Sequence, residues 1–559
     1  MHEHKKPNFL KGAAILAATG VFVKIIGAIY QLPILNALGD EGAGYFHVTY
    51  MVYGLLLAIS TAGVPVALSR LVSSAAARGN TALIKRYFSV AMPAFIVIGI
   101  AVMCVMFFFA DALADMMGSS LAVTGIQVLA PAVFFVCIIS VYRGYAQGFQ
   151  DMIPTAASQV IEVVCKAAFG ISIAFYLAHA GYQAQYISAG AITGVTIGLG
   201  LCIPVMMLYK KKLSKQSKQG DGSSACYQAE EPSPCLASAE LPSKMRTLAR
   251  FLRVSVTISL SASFMSIMGV IDTSVVSNRL QSALMFTESE AMAQLGIFRK
   301  GLSIYNLPPS LVVPLAVSMI PAIAAAVARM NKDESSAIMQ SSVKLTNLFA
   351  MPACAGIMVL AGPILKALYY NPSQSEQTVA AMTTILVILG AASYFVCLQH
   401  MTIATLQANG YERIALMTFP AGAVVRIALS YVLVGNPNIG IIGSPIATLA
   451  CFTVIVALNI IFIKVKVKAS MKLMSGFLKP LLCALIMAAV AYMTFVGVQW
   501  IGSGFIGTGV NAVRLYLAAA VLVGILVYVI LVVLTGAIAK EDLVHVPKGE
   551  KLAKILRVR

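Results

Sequence analysis

Runs of about twenty apolar residues recur along the whole of this 559-residue chain, and that recurrence limits its fold more than any other feature. A hydrocarbon core about 30 Å thick is crossed by roughly 20 apolar residues in an α-helix. Fourteen such runs are centred near residues 24, 56, 98, 133, 167, 197, 264, 311, 351, 392, 424, 452, 486 and 523. Charged residues make up only 11% of the chain, too few to cover the surface of a soluble domain of this length. The expected fold is an all-α polytopic membrane protein with 14 transmembrane helices.

The net charge of +19 is placed in a pattern. Lys and Arg cluster before the first run (Lys5, Lys6, Lys11), after the second (Arg70, Arg78, Lys85, Arg86) and after the sixth, from Lys210 to Arg253. They recur after the eighth, the twelfth and the fourteenth. The alternate loops are acidic or bare, with Asp40 and Glu41, then Asp111 and Asp115. This is the positive-inside arrangement, which puts both termini in the cytoplasm and explains the basic balance without nucleic acid. Lys24 interrupts the first apolar run, which argues against a cleaved signal peptide. Ten cysteines are scattered singly, without a C-x-x-C, and neither a metal site nor a disulfide framework is expected.

The chain also resembles itself. Val64-Pro65-Val66-Ala67-Leu68-Ser69 recurs as Val313-Pro314-Leu315-Ala316-Val317-Ser318, and Ala91-Met92-Pro93-Ala94 as Ala350-Met351-Pro352-Ala353. Ala77-Arg78-Gly79-Asn80 is echoed by Ala328-Arg329-Met330-Asn331, and the interval from Gln147 to Lys166 equals that from Gln407 to Arg426. Four ordered matches indicate two six-span halves of like orientation, with a binding site expected between them near the midplane. The expected organisation is an N-lobe at 1–210, a cytoplasmic linker at 211–248, a C-lobe at 249–468, and spans 13 and 14 with a basic tail at 469–559. Asn306-Leu307-Pro308-Pro309 predicts a broken or bent span 8, with Pro314 as its hinge.

Several charges fall inside these apolar runs. A cation at mid-bilayer costs roughly 2.5–3.5 kcal/mol on insertion scales, so Lys24 requires a partner or a wet cavity. Glu162 and Lys166 are spaced i,i+4 with the carboxylate first, the favourable order for an intrahelical pair. Arg426 occupies the Lys166 position of the second half, with Gly422 where the acid would be. Asp272, with Arg279 two turns on, is either a helix-face contact or a site for a coupling cation. Arg299 and Lys300 open span 8 on the side where the orientation rule disfavours them, so a cavity role is expected. Together Lys24, Arg299, Lys300 and Arg426 would give a cavity a positive potential suited to an anion such as a diphosphate headgroup. No phosphate-binding loop, zinc-protease, hydrolase-elbow or dinucleotide motif is present. The expectation is a transporter with no enzyme activity and no cofactor, driven by an ion gradient (Na+ or H+), membrane potential, the substrate gradient or a partner.

Gly39-Asp40-Glu41-Gly42-Ala43-Gly44-Tyr45, leading into Ser60-Thr61-Ala62-Gly63-Val64-Pro65, and Arg143-Gly144-Tyr145-Ala146-Gln147-Gly148, continuing to Glu162, carry a family likeness. The chain resembles the stage V sporulation protein B and Gram-positive lipid II flippase branch of the multidrug/oligosaccharidyl-lipid/polysaccharide exporter superfamily. The resemblance spans the first twelve runs in order. It implies a V-shaped pair of six-helix lobes, two further helices forming a lipid-facing groove, and alternating access. It further implies a cationic cavity for the headgroup of an undecaprenyl-linked precursor, with Lys24 matching a basic residue of span 1. Gln31 stands where many relatives have Arg, and Ser303 aligns with a basic residue expected in span 8, one turn after Arg299.

The expected function is a flippase for a lipid-linked oligosaccharide diphosphate, lipid II foremost, in the bacterial cytoplasmic membrane. Expected partners are the undecaprenyl-diphosphate-linked glycan, the bilayer and proteins of cell-wall synthesis. Two other readings stay open: a cation-coupled multidrug exporter, which should carry a net acidic cavity, and a sporulation or envelope scaffold without transport.

Overall fold

The computed structural model describes residues 8–61, 63–76, 80–149, 151–219, 243–329, 332–369, 374–467, 476–503, 507 and 509–537. Every regular element among them is a helix, as the apolar runs require. Two compact units divide the chain, one comprising Met1–Gln281 with Phe286–Gly296 and the other Ser282–Met285 with Ile297–Arg559.

The first unit contains α1 (Asn8–Thr61), α2 (Val64–Ala76), α3 (Thr81–Phe108), α4 (Ala110–Met116), α5 (Val123–Gly148), α6 (Ile153–His179), α7 (Ala184–Gln219), nearly all of α8 (Lys244–Leu284) and the first half of α9 (Glu288–Tyr305). The second holds the rest of α9, then α10 (Leu307–Ala328), α11 (Lys332–Val359), α12 (Ala361–Tyr369), α13 (Glu376–Ala408), α14 (Glu412–Val434), α15 (Gly443–Phe462), α16 (Leu478–Gly502) and α17 (Val510–Leu534).

Eleven stretches among the described residues are long and apolar enough to cross a membrane. They cover the runs centred from 56 to 197 and from 351 to 523. The runs near 24, 264 and 311 lie in α1, α8 and α10, where several side chains fall outside the described residues. The chain is a multi-pass membrane protein. Of the expected linker, 211–219 continue α7 and 244–248 begin α8, while 220–242 lie outside the described residues.

Local chemistry sets the breaks. Gly39 sits inside α1 with φ 68°, a left-handed conformation that glycine adopts without a Cβ penalty, and it separates the first two spans. Asn306 interrupts span 8, leaving α9 to end at Tyr305 and α10 to begin at Leu307 beside Pro308 and Pro309. The expected break is therefore found at Asn306, two residues before Pro308; the side chain of Pro314 lies outside the described residues. Thr287 and Glu290 form a capping box at the start of α9: the Thr287 amide donates to Glu290 Oε2 at 2.9 Å, and the Glu290 amide to Thr287 Oγ1 at 3.4 Å.

Close helix approaches fix the rotation of the elements that carry charge. Gly194 of α7 lies against α6 so tightly that a Cβ would sit 2.8 Å from Gly170 Cα and 2.9 Å from the Lys166 carbonyl oxygen. Small residues in this role let membrane helices approach backbone to backbone. In the second unit α16 packs on α11 and α17 on α12, around Leu360, Phe495, Tyr516 and Ala520.

Candidate functional site

The end of α5 and the start of α6 are joined by a polar ladder. Arg143 and Gln147, one turn apart on α5, face Thr155, Ser158 and Glu162 on α6. Arg143 Nε donates to Ser158 Oγ at 2.8 Å, and Nη2 approaches Glu162 Oε2 at 3.2 Å. Gln147 Nε2 donates to Thr155 Oγ1 at 3.2 Å. The short turn between the helices sets this register, so the Arg-Gly-Tyr-Ala-Gln segment acts as one half of a two-helix ladder.

The arrangement corrects the expected pair of Glu162 with Lys166. Among the described residues Glu162 is ion-paired with Arg143, and Lys166 turns the other way. Its Nζ lies 4.9 Å from the ring centroid of Tyr30 and 4.8 Å from that of Tyr50, both on α1. The physical reason is geometric. An i,i+4 pair needs both side chains on one exposed face, whereas the α5 neighbour offers Glu162 a fork-shaped donor that is anchored again on Ser158. Each aromatic face contributes about 0.5–2 kcal/mol to a cation. That is comparable with the roughly 2.5–3.5 kcal/mol insertion cost, yet leaves the formal charge of Lys166 in place.

In the second unit Arg299, Lys300 and Ser303 share α9. They lie about 17 Å or more along the axis from Glu288, at 1.5 Å per residue, so they are well inside the helix and do not open it. The Thr287–Glu290 box starts the helix three turns before Arg299. Lys300 is 3% exposed and its Nζ stands 5.6 Å from the ring centroid of Tyr369. Ser303 Oγ donates to the Arg299 carbonyl oxygen at 3.1 Å, and Arg299 lies within electrostatic range of Tyr369. Arg426, midway along α14, lies within electrostatic range of the buried Tyr305.

Two cations are thus set near tyrosines of other helices. Lys166 of α6 lies by Tyr50 of α1, and Arg426 of α14 lies within electrostatic range of Tyr305 of α9. The tyrosines are 255 residues apart, within the drift of the sequence repeat. Asp272 of α8 is buried at 2% exposure, and the adjacent Thr273 Oγ1 lies 3.4 Å from His47 Nε2 on α1. Gln31 is half-buried on α1, next to Tyr30. The side chain of Lys24 lies outside the described residues.

Sequence reasoning missed Arg143, Tyr30, Tyr50, Tyr305 and Tyr369. Arg143 had a signal: with Gln147 it forms an i,i+4 polar stripe facing Thr155, Ser158 and Glu162 across a short turn. The tyrosines had none, because aromatic residues at helical spacing are ordinary core residues.

Residues 9–327 match the family described as polysaccharide biosynthesis protein. The chain is 27% identical to the uncharacterised membrane protein YabM of Bacillus subtilis over 98% of this chain and 97% of that protein. It is 25% identical to stage V sporulation protein B of the same organism, over 97% of this chain and 98% of that protein. A solved lipid II flippase MurJ, in an inward closed conformation, superposes with a TM-score of 0.67 at 17% identity, covering 93% of this chain and 98% of that one. At that identity the likeness establishes a shared fold.

Proposed function

Because this chain belongs to the polysaccharide biosynthesis protein family, within the multidrug/oligosaccharidyl-lipid/polysaccharide exporter superfamily, we propose that it flips a lipid-linked oligosaccharide diphosphate across the bacterial cytoplasmic membrane. Lipid II is the first candidate, and alternating access the expected mechanism, with both termini cytoplasmic. The observation that carries this reading is Lys166. Its ammonium group, 13 residues into α6, rests on Tyr30 and Tyr50 and not on a carboxylate among the described residues. A charge held this way is oriented without being neutralised, which suits a site that receives and releases an anion. Lys300 and Arg426 give the second half cations at comparable helix positions, while Glu162 is already matched by Arg143.

The experiment is complementation of a strain depleted of its lipid II flippase, with outer-leaflet lipid II measured directly. The wild-type chain is expected to restore surface-exposed lipid II. Lys166→Gln should reduce it at least tenfold at equal membrane abundance, and Lys166→Arg should recover part of it. Wild-type complementation unaffected by Lys166→Gln would refute the role of Lys166. Failure of the wild type to restore exposure, with cation-dependent drug efflux instead, would favour the exporter reading; failure with neither activity would favour the scaffold.

A further inference from the structure

A groove of about 520 Å3 opens between α12 and α17 in the second unit. Leu368 lies on one wall, and Leu517, Ala518, Val521 and Leu522 on the other, with Arg514 at its head. Its surface is almost wholly apolar apart from that guanidinium. Arg514 is the fifth residue of α17, about 6 Å along the axis from the helix start, and so sits near the membrane boundary. The stripe continues down α17 through Leu522, Ile525 and Leu526, all more than half exposed.

Arg514 is held but not saturated. Its Nε donates to the Ala367 carbonyl oxygen at 2.9 Å and its Nη1 to Asn511 Oδ1 at 3.2 Å. A guanidinium carries five N–H donors, so three remain without a partner among the described residues. The Ala367 contact ties the group on α17 to the backbone of α12. The N-terminal end of α17 adds a favourable dipole for negative charge at the same level. The loop between α16 and α17 is on the face that the charge bias assigns to the cell exterior, where the orientation rule disfavours arginine. Exposed Lys366, the neighbour of Ala367, is a second cation at that face.

We propose that this groove binds an anionic phospholipid of the outer leaflet, with its phosphate on Arg514 and one acyl chain along Leu517, Val521 and Leu522. An oriented fork donor recognises phosphate bidentately, and an apolar slot directly below it accepts the chain that every such lipid carries. The slot lies between α17 and α12, and the assignment does not depend on the transported substrate.

Native mass spectrometry of the purified full chain tests it, with phosphatidylglycerol, an uncharged diacylglycerol glycolipid of the same acyl chains, and undecaprenyl diphosphate as probes. Phosphatidylglycerol should be retained about tenfold more tightly than the glycolipid, the worth of one charge-assisted contact. Arg514→Gln should abolish that preference and leave glycolipid retention unchanged. Ala518→Trp, which fills the slot and spares Arg514, should lower retention of both diacyl lipids. Equal retention of phosphatidylglycerol and glycolipid by the wild-type chain overturns the phosphate assignment, and needs no variant to fold. Stronger retention of undecaprenyl diphosphate that is lost in Arg514→Gln assigns the groove to a polyprenyl lipid and overturns the phospholipid. Unimpaired transport by Lys166→Gln, with these lipid preferences intact, would sink the flippase reading's key residue and leave this one standing.

Discussion

The partner of Glu162 can be measured directly. The Arg143 and Glu162 charges are 3.2 Å apart, with side-chain exposures of 15% and 33%. At an effective dielectric of about 20, that separation corresponds to roughly 5 kcal/mol of Coulomb attraction before desolvation. Desolvation and partial solvent access reduce the net coupling toward the value of a charge-assisted hydrogen bond, about 2 kcal/mol. A double-mutant cycle isolates this coupling: Arg143→Gln, Glu162→Gln and the double variant, each unfolded reversibly in mixed detergent micelles. The cycle cancels the separate loss of the Arg143 bond to Ser158. A parallel cycle on Glu162 and Lys166 should give less than about 0.5 kcal/mol, since Lys166 faces Tyr30 and Tyr50. A near-zero Arg143 coupling, or a larger one for Lys166, would refute the ladder and restore the intrahelical pair.

Gly194→Ala should destabilise by about 1–3 kcal/mol, because the new methyl meets backbone of α6 that cannot yield. Gly54→Ala, with nothing within 4 Å of the new methyl, should instead stabilise by about 0.5–1 kcal/mol; thermal unfolding compares the two, and equal effects would contradict the close approach. The exposed Glu290 carboxyl is held below its usual range, first by the Thr287 backbone amide and then by the Thr287 hydroxyl. Its folded value is depressed, so this cap contributes above the unfolded value and is lost as pH falls through the folded one. Hydrogen exchange at the first turn of α9, corrected for intrinsic rates, should accelerate over that acid range in the wild type and stay flat in Glu290→Gln. Tyr50→Leu should lower exposed lipid II while leaving membrane abundance unchanged, since it removes one of the two faces orienting Lys166; parallel loss of abundance and activity would mean the ring is only packing.

Much of the fold is legible because its cause is one-dimensional. Apolar length decides where a helix can cross, so eleven runs fall where the residue pattern puts them. Gly39 and the Asn306–Pro309 segment declare their breaks through backbone chemistry that needs no neighbour. Apolar length alone does not show the capping box that starts α9 at Glu288, three turns before Arg299 and Lys300.

The sequence by itself determined that this chain is helical, crosses a membrane repeatedly, repeats in two halves and carries buried cations. Those properties follow from hydropathy, charge placement and the energetic cost of charge in lipid. Only the tertiary structure decided what each charge meets. Glu162 lies four residues from Lys166 yet pairs with Arg143, 19 residues away, because helix rotation set by neighbouring backbones outweighs proximity along the chain. Lys166 finds Tyr30 and Tyr50 more than a hundred residues before it for the same reason. Helical spacing states which face a side chain occupies; the packing of that face against another helix selects its partner.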